Sequence, residues 1–163
     1  MKLLLDQYHR LLKATLTLLM ALMIVPVSMQ IMSRYTGLIP RYIWTEEVAR
    51  FCFVWIIMIG AMIAVRDGTH FDVDLMPHPK SKREQGVCKL IVHIAMGVMA
   101  VVFAWYGFQF ARFGVIQQSE MSGINMLSIY ISFPMAGVTW VVFLIERIVE
   151  DIGLIASKPE PQA

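Results

Sequence analysis

Charge is what this chain has least of. Asp, Glu, Lys and Arg make up 16% of the residues while hydrophobic residues make up 58%. Soluble domains carry about 25% charged residues, so a water-soluble globule is excluded. Four stretches hold no Asp, Glu, Lys or Arg at all: Ala14–Ser33, Phe51–Val65, Leu90–Ala111 and Met121–Ile145. Three of them have a length suited to a hydrocarbon core about 30 Å thick, crossed at about 1.5 Å per residue, and Phe51–Val65 reaches it with the residues from Glu46 to Arg66 that flank it. Cysteine is equally sparse. Cys52 and Cys88 are the only two, and they fall at opposite ends of their spans, which excludes a disulfide framework. Spare length is missing too, because four spans consume nearly all of the 163 residues and leave no room for a separate soluble domain or a nucleotide-binding fold. No nucleic-acid partner, metal, cofactor or enzymatic activity is expected.

What is present reads as an all-α membrane protein with four transmembrane helices, of which helices 3 and 4 are long. A single four-helix membrane domain is expected over residues 1–156, with spans at about 14–33, 46–66, 88–112 and 122–146, and a disordered cytoplasmic tail, SKPEPQA, at 157–163. Residues 1–13 read as an amphipathic lead-in to the first span. That span is too long for a signal-peptide core and no small-residue cleavage site follows it, so it is expected to be retained. Pro26 lies inside it and frees the carbonyl of Leu22.

Thr45 is placed to cap the second helix, with Glu46 and Glu47 in its first turn, the sign that the helix dipole favours. Arg66 closes that span and Gly68 can supply the left-handed residue that ends it. In the connection that follows, His70, Asp72 and Asp74 alternate with Phe71, Val73 and Leu75, the period of an extended segment. Ser81 to Glu84 is a capping box, so helix 3 is expected to start near Lys82 and to run to about Gln118, well past the thickness of the bilayer. The fourth span carries Pro134, where a kink is expected.

Orientation follows from the basic residues. With a cytoplasmic amino terminus the inside segments hold Lys2, Arg10, Lys13, Arg66, Lys80, Lys82, Arg83, Lys89, Arg147 and Lys158, and the outside ones only Arg34, Arg41, Arg50 and Arg112. Both termini are therefore expected inside.

Three features are candidates for function. Trp44, Glu46, Glu47 and Arg50 stand at the mouth of the second span, where Glu46–Arg50 is an i,i+4 pair and Glu47–Arg50 an i,i+3 pair. They read either as an interfacial helix start or as an intersubunit salt bridge, with a proton-carrying glutamate as a third option. Gly97, Ala100, Ala104, Gly107, Ala111 and Gly114 form a stripe of small residues at heptad period on helix 3, which suits close helix packing inside the subunit or against another protein. Extended backwards the stripe reaches His93, which should face protein rather than lipid. His70, Asp72 and Asp74 would share one face of a strand, where turn and partner contacts fit better than a metal site.

These residues carry a resemblance. The pattern W-x-E-E-x-x-R (Trp44, Glu46, Glu47, Arg50), then G-A-x-x-A-x-R (Gly60, Ala61, Ala64, Arg66), then G-x-H-x-x-V-D (Gly68, His70, Val73, Asp74) is similar to the Q subunit, the small membrane subunit, of tripartite ATP-independent periplasmic (TRAP) transporters. The motifs cover about residues 34–76, and the four-span layout extends the likeness over the whole chain. The resemblance implies a multi-pass protein of the bacterial inner membrane, both termini cytoplasmic, held among lipids beside a much larger membrane subunit. That partner would hold the substrate and sodium sites, fed by a transiently docking periplasmic substrate-binding protein with a carboxylated organic solute. Two other classes compete. A self-sufficient proton-coupled transporter would use Glu46 or Glu47 as carrier. A haem-bearing anchor of a redox complex needs two histidines at similar depth on facing spans, and only His93 lies within a span.

Overall fold

The computed structural model describes residues 2–36, 40, 42–68, 82–119 and 123–156. Among them four helices are long and apolar enough to cross a membrane: α1 (Lys2–Thr36), α2 (Ile43–Asp67), α3 (Lys82–Ile116) and α5 (Ser132–Ala156), with α4 (Leu127–Tyr130) a single turn ahead of the last. Among the described residues the secondary structure is helical apart from an isolated antiparallel bridge between Gln118 and Asn125. His70, Asp72 and Asp74, the Ser81 end of the capping box and the tail at 157–163 lie outside the described residues.

Residues 2–13 are not a separate lead-in, because α1 is continuous from Lys2. Leu5, Tyr8, Leu12, Leu16 and Leu19 all pack on the core. Spacings of three and four carry one apolar stripe straight through the charged start of the helix.

The start of α2 also departs from expectation. The residue preceding the helix is Tyr42, extended at φ −89° and ψ 119°, with no side-chain cap. Thr45 lies two residues inside the helix, and its hydroxyl donates back to the Tyr42 carbonyl at 2.7 Å. A carbonyl took the hydroxyl that the sequence assigned to an orphan amide. At the other end Gly68 closes α2 at φ 73°, in the left-handed region where a Cβ would strain the backbone.

The last span is interrupted at Ile131, three residues before Pro134. Helical hydrogen bonds run through Tyr130 N to Met126 O and Ile131 N to Leu127 O, and the ladder resumes with Met135 N to Ile131 O. Pro134 therefore occupies the first turn of α5, where a missing N–H does least harm, and it has no N–H to offer Tyr130 four residues back. Side chains cover carbonyls at the break: Trp55 Nε1 donates to Ser128 O at 3.0 Å and Ser132 Oγ to Ile129 O at 2.7 Å.

The spans pack in the order α1–α2–α5–α3, with the most extensive contact between α3 and α5. Phe143, Ile59, Met62 and Ala100 are fully buried along this row. The outward faces of the two edge helices are apolar, with Leu18 and Ile24 exposed on α1 and Val98, Trp105 and Phe108 on α3. Lipid tails are as apolar as leucine, so burial against water does not hold such spans together; close van der Waals contact and hydrogen bonds between helices do.

Candidate functional site

The close contact is built by glycine and alanine on α3 and α5. A Cβ on Gly107 would lie 2.9 Å from the Pro134 nitrogen, and one on Gly114 2.9 Å from the Leu127 Cα. Gly137 meets Ala104 across the same line, where a Cβ would come within 2.5 Å of the Ala104 nitrogen. Ala100 and Ala111 are buried. The stripe from Ala100 to Gly114 thus faces α4 and α5 of the same subunit, whereas a Cβ on Gly97 would meet nothing within 4 Å.

Beside the stripe runs an aromatic line. Phe103 and Phe110 on α3, seven residues apart, meet Phe133 and Trp140 on α5, also seven apart, with ring centroids at 5.9 Å (Phe103–Phe133), 5.0 Å (Phe103–Trp140) and 5.5 Å (Phe110–Phe133). The shared heptad period was present in the sequence, but two such rows become a contact only once the helices are known to be neighbours.

Polar groups gather at the two ends of the row. At the end away from the termini, Arg50 pairs with Glu46 at 3.4 Å, with side chains 60% and 61% exposed. Glu47 does not join them. It turns inward and accepts a hydrogen bond from Ser119, beyond the end of α3. The three-charge cluster expected from the sequence is therefore split: both spacings put a carboxylate beside Arg50, but Ser119 beyond α3 engages Glu47 instead. Trp44 and Tyr42 lie at the same level, their rings 6.3 Å apart. The Arg50→Ala substitution is expected to change the stability of the isolated chain by less than about 0.5 kcal/mol, since an exposed pair contributes little; a thermal unfolding curve in detergent reads this directly.

Asn125 organises the turn between α3 and α4, and sequence reasoning missed it. Its amide donates to Val115 O at 3.0 Å and its side-chain oxygen accepts from Leu127 N at 2.8 Å, so one side chain caps the end of one helix and the start of the next. The only signal was an asparagine among turn residues. Asn125→Ala is expected to cost about 1–2 kcal/mol, measured in the same unfolding assay.

The end that holds both termini carries a larger network, also missed. Arg66 donates to Asp6, lies 3.5 Å from Glu146, and stacks 5.0 Å over the Phe143 ring, which joins α1, α2 and α5 through one side chain. Arg147 donates to the Arg66 carbonyl at 2.6 Å, where the dipole at the C-terminus of α2 favours a cation. Asp67 receives His9 at 3.0 Å and Lys13 at 3.1 Å. Tyr8 and Thr139 share a hydrogen bond of 3.1 Å. On the far side, His93 Nδ1 stands 2.5 Å from the buried Asp151, which ties α3 to α5. His9 too lies on a helix, because α1 reaches back past it, but at its end beside Asp67.

Among the described residues no three His, Cys, Asp or Glu side chains lie close enough to hold a metal ion. Apart from His93–Asp151, the described ion pairs sit at the two helix ends, and the deep sections of the row are packed with apolar and small residues.

The family described as tripartite ATP-independent periplasmic transporters, DctQ component, matches residues 8–154. The chain belongs to the DctQ family. With four apolar helices, this DctQ-family chain is a multi-pass membrane protein and a TRAP transporter subunit. A putative TRAP transporter small permease protein of Haemophilus influenzae is 25% identical over 140 residues, 84% of each chain. The sialic acid TRAP transporter small permease protein SiaQ of Vibrio cholerae is 26% identical over 132 residues, 80% of this chain and 75% of SiaQ. An isethionate TRAP transporter permease protein, DctMQ, of Oleidesulfovibrio alaskensis is 27% identical over 84 residues, 48% of this chain but 13% of that much longer one. The DctQ match reaches every helix described above, so the resemblance carried by Trp44 to Asp74 extends over nearly the whole chain.

Proposed function

We propose that this chain is the accessory scaffold of a TRAP transporter, supporting a large membrane subunit that translocates substrate. The observation that carries the reading is where the polar groups go. Arg66, Asp67 and Asp151 are engaged by neighbouring helices of the same chain, and Glu46 and Glu47 stand in the first turns of α2 rather than mid-span. An ion or substrate carrier would place ionisable groups or broken helices near the bilayer midplane. A proton-coupled transporter relying on Glu46 or Glu47 is for that reason disfavoured.

The DctMQ relative, in which a DctQ-like stretch is a small part of one long permease, supports a large membrane partner. The cargo is an organic anion delivered by a periplasmic binding protein and taken up with a coupling ion; a carboxylated solute agrees with the sialic acid in one relative's name, and isethionate, a sulfonate, shares the negative charge. The excess of basic residues on the segments shared with the termini supports termini in the cytoplasm, and membership of the DctQ family supports the bacterial inner membrane. Purification through a tag on this chain is expected to bring down the large subunit. Proteoliposomes with both membrane subunits and the binding protein should take up solute under an ion gradient. Uptake by this chain alone would overturn the proposal.

A further inference from the structure

We infer that the cavity between the start of α2 and the α3–α4 turn binds the headgroup of a zwitterionic phospholipid that carries a primary ammonium. This goes beyond the scaffold reading and needs no second subunit. The cavity has a volume of about 320 Å³, with Trp44, Glu47, Arg50 and Phe51 of α2 on one side and Ile124 and Ile129 on the other. Its charged groups are one carboxylate and one guanidinium. The neutral polar side chains that also line it are engaged within the chain: Ser119 donates to Glu47, Asn125 bridges Val115 O and Leu127 N, and Ser128 Oγ donates to Asn125 O at 2.9 Å.

The order of the two charges along α2 selects the ligand. The helix enters the membrane from this end, with the Tyr42 and Trp44 rings at its start, the residue types that gather at headgroup level. Glu47 comes first, Arg50 lies about 4.5 Å deeper along the axis, and Phe51 follows. An amine phospholipid presents its own groups in that order from water inward: ammonium, phosphate, then ester and acyl chains. Glu47 therefore meets the ammonium while Arg50 meets the phosphate, and Phe51 and Ile129 take the start of the chains. A glycerol headgroup would offer Glu47 no charge, and a quaternary amine would offer it no N–H. Glu47 already accepts from Ser119 and Arg50 already donates to Glu46 at 3.4 Å, but a carboxylate accepts about four hydrogen bonds and a guanidinium donates about five, so both retain capacity.

The second cleft at this end, between α1 and α2, does not repeat the order. Its one lining cation, Arg34, stands in the last and outermost turn of α1. One turn deeper on that helix the lining residue is the neutral Gln30. In the α2–α4 cavity, by contrast, a bound lipid would fasten the start of α2 to the α3–α4 turn, which the chain itself joins through Glu47 to Ser119 and Trp55 Nε1 to Ser128 O at 3.0 Å.

The test titrates the full chain in detergent with short-chain phosphatidylethanolamine, phosphatidylcholine and phosphatidylglycerol, reading bound lipid by native mass spectrometry. Glycerophosphoethanolamine, the same headgroup without tails, is the soluble arm. Phosphatidylethanolamine is expected to bind roughly fivefold or more tightly than phosphatidylglycerol, with phosphatidylcholine between them. The soluble headgroup should bind far more weakly, since it leaves the apolar walls uncovered. Glu47→Gln keeps an acceptor for Ser119 and should abolish the preference for the amine lipid. Arg50→Gln should weaken all three lipids, and Arg34→Gln, at the other cleft, should change neither affinity nor preference. Equal binding of the three lipids, a preference that survives Glu47→Gln, or affinities unchanged in Arg50→Gln would overturn the assignment. So would a soluble headgroup that binds as tightly as the lipid, which would make the ligand a free zwitterion. Arg50 is exposed, so its variant decides the outcome even where Glu47→Gln does not fold.

Discussion

Gly137→Ala is expected to destabilise the folded chain by about 2–3 kcal/mol, and Gly137→Leu to prevent a monodisperse fold altogether. The added Cβ would come within 2.5 Å of the Ala104 nitrogen and 2.6 Å of its Cα. Backbone atoms cannot swing aside as the tip of a flexible side chain can, so α3 and α5 must separate along their whole seam. Gly97→Ala provides the contrast. It belongs to the same small-residue stripe, but nothing lies within 4 Å of its new Cβ, and removing a glycine from a helix interior should stabilise by about 0.5–1 kcal/mol. Unfolding curves of the two variants in one detergent are expected to move in opposite directions. Equal shifts would show that the stripe acts by composition and not by contact.

The second large effect is expected at Arg66. Arg66→Met should cost about 3 kcal/mol, because it leaves Glu146, only 17% exposed, facing Phe143 and the α1 start without its cation. Asp6 is 57% exposed and recovers solvation more easily. Adding Glu146→Gln to Arg66→Met is expected to recover part of the loss, since removing both charges of a shielded pair costs less than stranding one. Arg66→Lys should fall between wild type and Arg66→Met, as an ammonium cannot reach both carboxylates with the fork of a guanidinium. Double-mutant unfolding measurements test the set. A double variant no more stable than Arg66→Met alone would show that the interaction with Phe143, and not the ion pair, is what Arg66 contributes.

Arg66 also shows where a sequence stops informing. Its place at the end of a span was legible from hydropathy, and so was the glycine that closes the helix after it. Its partners were not, since Asp6 and Glu146 lie 60 residues before and 80 residues after it, and nothing local distinguishes them from other charges at span ends. Glu47 shows the same limit at short range. Spacing allowed it either side of the helix, and only the position of Ser119 beyond α3 drew it inward.

By itself the sequence determined that this protein is four apolar helices with charge confined to their ends, and that one of them bears a line of small residues. Periodicity and transfer energy are properties of one segment at a time, which is why those statements needed no neighbours. Tertiary structure alone decided that the line meets Gly137 and not lipid, that Pro134 falls in the first turn of a helix, and that Asp6, Arg66 and Glu146 form one junction. Each of those depends on which spans lie side by side. In a membrane that choice rests on backbone approach and a few hydrogen bonds, quantities that exist only between helices.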